Sequence, residues 1–316
     1  MADIELRLGS DVLVVQGAMG TMFEAAGFGG PGETCYPFLN LTEPETVEEL
    51  HRRYLAAGAD CAVTNTFLAT SSRLAPYGLL AYAEQINREG VRLARGVGFQ
   101  HVLAAVGPCG VEVEPGSGLA ALAASEAPDG AAYPPEACAP GYGAAVEQYA
   151  EQIAALACEG PDAVLLETFT DLDDALAAVD AARRVCDLPV MACLSFVRGP
   201  EGGALSPDPA EAARALVRAG AAAVGCNCTD VDDAVAAVEV MRSAVDAAIV
   251  ARPSAGQPVR QPDGSLSWPV GPDGFADAAV RLVRAGARVV GSCCGSTPAC
   301  TGAIFAAVGG LQGSEG

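Results

Sequence analysis

Eight short apolar runs, each followed by a stretch of helical periodicity, predict a single-domain α/β chain folded as a (β/α)8 barrel of the TIM type. The runs are continuously apolar rather than alternating, as in parallel strands covered on both faces. The 316 residues also fit a barrel of about 250 residues with insertions. An open doubly wound sheet is the alternative, but it usually has fewer units and a single switch-point crevice.

The predicted strands are Val12–Val15, Cys61–Thr64, Val102–Val106, Ala163–Leu166, Val190–Leu194, Ala221–Val224, Ala248–Ala251 and Arg288–Val290. The helices that follow them are Glu43–Ala57, Leu80–Arg95, Tyr142–Cys158, Leu172–Val185, Pro209–Ala219, Asp230–Val245, Phe275–Ala285 and Pro298–Val308. Val47, Leu50, Tyr54 and Leu55, and later Ala279, Leu282 and Val283, recur at helical spacing. Thr42 and Thr297 stand where N-caps belong, and Gly58, Gly220 and Gly286 where helices end. The barrel is expected over 1–308, with 309–316 as a flexible tail. Two long connections, Gly107 to Gly141 and Pro253 to Gly274, follow strands and so belong to the C-terminal face, where long loops tend to be functional.

Composition narrows the partners. Against 18 basic residues stand 39 acidic ones, a formal charge of −21 that repels phosphate backbones and anionic lipid. Neither nucleic acid nor a membrane is an expected partner. No run approaches the ~20 apolar residues of a membrane span. The start, Met-Ala-Asp-Ile-Glu-Leu-Arg-Leu, has no signal-peptide pattern, so a cytoplasmic location is expected. In that compartment the 12 cysteines point to free thiols, metal ligands or catalysis rather than to disulfides. Cys61, Cys158, Cys186 and Cys193 fall within apolar patterns and read as small hydrophobes.

Barrel chemistry sits at strand ends. These carry Gln16-Gly17-Ala18-Met19-Gly20-Thr21, Asn65-Thr66-Phe67, Gly107-Pro108-Cys109-Gly110, Glu167, Ser195, Asn227-Cys228, Arg252-Pro253 and Cys293-Cys294. One strand separates the sixth from the eighth, so Cys228, Cys293 and Cys294 can converge on one metal ion. Three thiolates would hold zinc and leave its fourth position open, the arrangement of a catalytic site. A vicinal pair sharing one ion needs irregular backbone, which the flanking glycines permit. Packing is the plainer role for these cysteines. Glu167, ending an apolar run, requires a cation: a substrate ammonium, or an Arg or Lys of the protein. The glycine-rich turn after the first strand offers backbone N–H groups to a carboxylate. Together these describe a receptor for an amino acid carrying a thiol. His51, on a charged helix face, and His101, opening a strand, read as structural.

The series Gly17-Ala18-Met19-Gly20-Thr21-Met22, Tyr54 to Asp60 with Thr64-Asn65-Thr66-Phe67, Leu166-Glu167-Thr168-Phe169, Gly225-Cys226-Asn227-Cys228 and Gly291-Ser292-Cys293-Cys294-Gly295 resembles the zinc-dependent homocysteine S-methyltransferases. Their module also forms the N-terminal part of cobalamin-dependent methionine synthase. The resemblance covers essentially the whole chain and implies a (β/α)8 barrel. It implies that Cys228, Cys293 and Cys294 bind zinc, that homocysteine sulfur takes the open position, and that Glu167 holds the amino group. Gly17 and Ala18 would hold the carboxylate, and Gln16 and Asn65 would line the substrate site. Gln16 stands where the family usually has Asp, Val63 where Glu is common, and Ser292 where Gly is common. Cys226 and Cys109 are extra thiols near the mouth.

The resemblance implies methyl transfer to homocysteine, giving methionine. Leu39-Asn40-Leu41-Thr42 and Thr64-Asn65-Thr66-Phe67 look more like the methionine-synthase module than the stand-alone enzymes. The expected donor is therefore methylcobalamin, a methyl-corrinoid on a separate protein or domain, since no folate- or cobalamin-binding region is expected within the chain. The alternatives are S-methylmethionine, S-adenosylmethionine or betaine as donor, a non-catalytic zinc- or thiol-binding regulatory protein, and a thiol-redox protein using Cys226 and Cys228.

Overall fold

The computed structural model describes residues 4–30, 32–125, 139–199, 202–261 and 266–312. Eight parallel strands form the barrel: β1 Leu13–Val14, β2 Cys61–Val63, β3 His101–Val106, β4 Ala163–Phe169, β5 Val190–Leu194, β6 Ala223–Asn227, β7 Ala248–Arg252 and β8 Val289–Val290. From β2 onward each strand pairs with the next in sequence, and β8 pairs back onto β1. A parallel bridge between Val15 and Cys61 joins β1 to β2 and closes the ring.

Outside it lie α1 Pro44–Ala56, α2 Ala83–Val97, α3 Pro140–Ala157, α4 Leu172–Val185, α5 Pro209–Ala219, α6 Val231–Ala244, α7 Pro272–Ala285 and α8 Pro298–Gln312. The eight expected units are all present. The last helix runs through Gln312, past the Val308 expected of it, and 313–316 lie outside the described residues. None of the helices among the described residues is long and apolar enough to cross a membrane.

Side-chain alternation along the strands sorts the core into two layers. Leu13, Val15, Leu103, Leu165, Met191, Cys193 and Val250 pack inside the barrel. Ile4 and Leu8, from an N-terminal helix Ile4–Ser10, close the lower end of that cluster. Val14, Val102, Val164, Leu166, Val224 and Cys226 face the helices. Each buried Val, Leu or Ile contributes about 1.5–3 kcal/mol, so the two layers supply most of the drive to fold.

The three expected glycine ends are observed, and the cap expected of Thr42 is not. Gly220 and Gly286 cap α5 and α7 in the left-handed conformation, and Gly58 does the same one residue past the cap of α1. Thr42 is not the cap of α1. It ends a short helix, Leu39–Thr42, and its hydroxyl donates to Phe38 O, while Glu43 takes the cap position.

The long connections carry structure of their own. A helix, Ser117–Ser125, follows β3, and Asp173 at the start of α4 accepts N–H bonds from Gly116, Gly118 and Leu119. The rest of that connection, 126–138 with Cys138, lies outside the described residues. After β7, Val259–Arg260 pairs with Leu266–Ser267 as a small ribbon, and a matching ribbon follows β5.

Candidate metal and active site

Three sulfurs meet at the C-terminal mouth. Cys228 Sγ and Cys294 Sγ are 3.5 Å apart, Cys293 Sγ and Cys294 Sγ are 4.0 Å apart, and all three lie within 4.8 Å of one another. Tetrahedral zinc with Zn–S bonds of about 2.3 Å separates its sulfurs by about 3.8 Å. The observed spacings bracket that value, so the donor set fits the ion, and no other group of three such side chains occurs among the described residues.

Irregular backbone brings each thiol inward. Along β6 the alternation sends Ala223 into the barrel and Cys226 outward, so Cys228 would also point out. Its φ of +50° reverses that direction, and its N–H is fixed on Arg252 O at 3.2 Å. Past β8, Cys293 N–H donates to Pro253 O and Cys294 O accepts from Ala255 N–H. The loop after β7 therefore clamps the vicinal pair from the side. Gly295 has φ +79°, and a Cβ there would lie 2.2 Å from the Trp268 ring. Only glycine fits beneath that indole.

The thiols are electrically linked. Hydrogen bonds from Cys228 and Cys294, then the Arg252 guanidinium, hold Cys293 well below the usual thiol range despite burial. The hydrogen bonds to Cys293 and Cys294, with burial and the Cys293 charge, push Cys228 well up. Cys294 is drawn down by Cys228 yet pushed up to about 12 by its bond with Cys293 and that neighbour's charge. One of the three ionises readily; all three ionise together only against a cation.

The sulfurs open into a cavity of about 740 Å³, lined by Gly17, Ala18, Val63, Asn65, Glu167, Thr168 and Arg252 near the thiols. Phe67, Tyr36, Tyr77 and Met19 line it as well. Glu167 is 7% exposed, and Arg252, at 3%, donates to it through Nη1 at 2.6 Å. Of the two cations considered for Glu167, the protein supplies one itself. Burial pushes Glu167 upward and the Arg252 charge opposes this. Burial works against the Arg252 charge, but the Glu167 carboxylate holds the guanidinium above its usual range.

Two residues of this site carry no role in the sequence reading. Thr168 has φ +67°, rare for a β-branched residue, at an irregularity between Leu166 and Phe169 in the β4–β5 pairing. Asn227 locks it: Oδ1 accepts from Thr168 N–H at 2.7 Å and Nδ2 donates to Thr168 Oγ1 at 2.7 Å. The same Nδ2 lies 3.8 Å from Cys293 Sγ, so one buried amide orients both the strand end and a thiol. Its signal was a polar residue inside a fully apolar strand end.

The remaining sequence candidates divide. Gly17 lines the cavity, and a Cβ there would lie 2.5 Å from Ser296 Oγ, so close packing requires glycine. Ala18 lines it too, but its N–H already donates to Ser296 Oγ at 3.1 Å. Asn65 lines the cavity and spends Nδ2 on Tyr36 O and Asn40 Oδ1. Gln16 does not line the cavity: it points outward, donating to Val63 O and accepting from His51 Nδ1 at 2.9 Å. Cys226 and Cys109 also lie away from the cavity lining, Cys226 in the sheet–helix layer. Cys158, expected among the apolar packing, is exposed at the end of α3.

His51 is wholly buried rather than on a charged face, and burial lowers it to about 4. The unfolded chain, near 6.5, therefore binds a proton that the folded one refuses. Stability from this group is complete above pH 6.5 and is lost as pH falls towards 4, by about 3 kcal/mol. In His51→Asn, which keeps an N–H for Gln16, the urea-unfolding free energy should fall less over that range by about this amount. An unchanged acid slope would contradict the assignment.

A family model described as homocysteine S-methyltransferase matches residues 13–308. The chain is 30% identical over 328 residues to a methionine synthase of Mycobacterium tuberculosis, covering 98% of this chain and 25% of that protein. It is 30% identical over 316 residues to the methionine synthase of Mycobacterium leprae, covering 94% of this chain and 24% of that protein. The chain thus spans about a quarter of the length of these curated relatives. Among solved structures, the oxidized form of the homocysteine methyltransferase MmuM from Escherichia coli matches with a TM-score of 0.72 at 25% identity, over 96% of this chain and 99% of that one. Its metallated form matches with a TM-score of 0.69 at 24% identity, over 94% and 96% of the two chains. With the barrel, the cavity and these matches together, the chain belongs to the homocysteine S-methyltransferase family.

Proposed function

We propose that this chain methylates the thiol of L-homocysteine, giving methionine, with zinc held by Cys228, Cys293 and Cys294. The observation that carries this reading is the three-sulfur cluster opening into a cavity that also presents a buried carboxylate. The existence of a metallated form of the Escherichia coli homocysteine methyltransferase supports a metal here.

A free thiol of pKa near 8.5 is only about 3% thiolate at pH 7. Bound zinc would supply the deprotonation of the substrate sulfur, so the protein needs no general base there. The protein's own groups orient the amino acid. Glu167 receives the ammonium on the oxygen that Arg252 leaves, with Asn65 in the same cavity wall. Gly17 and its neighbours pack against the ligand backbone, with the Ala18 N–H held by Ser296. The cavity of about 740 Å³, walled also by Phe67, Tyr36 and Tyr77, leaves room for a methyl donor beside the amino acid.

The donor in this reading is a methyl-corrinoid on a separate protein or domain, favoured by the 30% identity to methionine synthases over nearly the whole chain. The test offers zinc-loaded protein and homocysteine with methylcobalamin, S-methylmethionine, S-adenosylmethionine or betaine. Methionine formed with methylcobalamin is the expected result. Turnover with a sulfonium or betaine alone would replace the donor, and no methionine with any of the four would remove the activity.

A further inference from the structure

Arg252 ends β7 beneath the cavity and is 3% exposed. Its one side-chain hydrogen bond joins Nη1 to Glu167, and its Nε has no partner among the described residues. A guanidinium carries five N–H donors in a planar fork. One carboxylate oxygen therefore leaves most of its capacity unused, at a site where unmet donors are costly. The planar group that complements such a fork best is a second carboxylate. Of the competing seat for a carboxylate, the Gly17-Ala18 turn, the Ala18 N–H is already taken by Ser296 Oγ, which Cys293 O fixes in turn.

We propose that Arg252 is a substrate-binding residue that receives the carboxylate of the amino-acid thiol, while Glu167 receives its ammonium. The inference rests on the homocysteine reading above. A zwitterion laid on the Glu167–Arg252 pair alternates positive and negative groups, so both ends of the ligand are neutralised and the buried net charge is unchanged. The backbone carbonyl of Arg252 also holds the Cys228 N–H. The residue that selects the α-amino acid is thus attached to one that holds the sulfur end. Specificity follows: a thiol with both charged groups is preferred over one that lacks either.

The test titrates three thiols into zinc-loaded protein by calorimetry: homocysteine, 3-aminopropane-1-thiol without the carboxylate, and 4-mercaptobutanoate without the amine. In the wild type, homocysteine should bind at least about tenfold more tightly than 3-aminopropane-1-thiol, the worth of a charge-assisted hydrogen bond. In Arg252→Lys, which keeps a cation beside Glu167 but loses the fork, that ratio should fall about fivefold, the worth of one bond. The ratio to 4-mercaptobutanoate should hold. In the paired variant Glu167→Gln with Arg252→Met, which leaves no lone buried charge, both ratios should approach one. Either variant, folded and metal-loaded, keeping the wild-type carboxylate preference would overturn the role of Arg252. A wild type that binds none of the three thiols would instead remove the homocysteine reading itself.

Discussion

Cys228→Ala should lose its bound zinc and lower the rate of homocysteine methylation by about 10³-fold or more. Two losses multiply. Without the metal, only about 3% of the substrate thiol is ionised at pH 7, a factor of about 30. Without the anchor, the sulfur is no longer held in line with the methyl group, and misplacement of about 1 Å alone costs about 10²-fold. Cys226→Ala is the control, because that thiol packs in the sheet–helix layer with its Sγ 3.9 Å from Ala234 O. It should keep zinc and activity. Zinc content by atomic absorption and methionine formation by chromatography check both variants. Full zinc in Cys228→Ala would show that the ion sits elsewhere.

The second large effect is on stability and belongs to the buried ion pair. Removing one partner of such a pair leaves an uncompensated charge and costs about 3–5 kcal/mol, whereas removing both together is close to neutral. Metal-free Arg252→Met should therefore unfold in urea with a free energy lower by about that amount, and adding Glu167→Gln should restore most of it. The two residues are 2.6 Å apart and both buried, so they must couple. Equal stabilities for the single and paired variants would mean that the pair carries no such energy.

Much of this site could be read from the chain because barrel geometry turns order into position. The (β/α)8 pattern placed Cys228 and Cys293-Cys294 at the ends of strands separated by one neighbour, and β7 does lie between them. Alternation along the strand also explains Glu167: Ala163 and Leu165 face the interior, so Glu167 does too. The same rule corrects Gln16. Leu13 and Val15 point inward, which sends Gln16 out towards His51 and away from the cavity lining.

What escaped the sequence depends on contacts between distant segments. Arg252 was visible as a strand-end residue, but its pairing with Glu167 joins β7 to β4, three strands apart, through a long side chain that crosses the mouth. Thr168 and Cys228 adopt left-handed backbone that neither residue type favours. Their conformations are set by the Asn227 amide and the Arg252 carbonyl, which only the assembled barrel supplies. Thr42 failed as a cap because the chain before α1 already turns as a short helix, an outcome that depends on Asn40 bonding to Asn65 O and Ile86 O.

The central claim is that three protein sulfurs hold a zinc ion whose remaining position takes the substrate thiol. X-ray absorption at the zinc edge tests it directly, on zinc-loaded protein with and without homocysteine. The account predicts three sulfur neighbours at about 2.3 Å in the free protein and four once homocysteine is added. A sulfur count that does not change on adding homocysteine, with the amino acid bound, would contradict it.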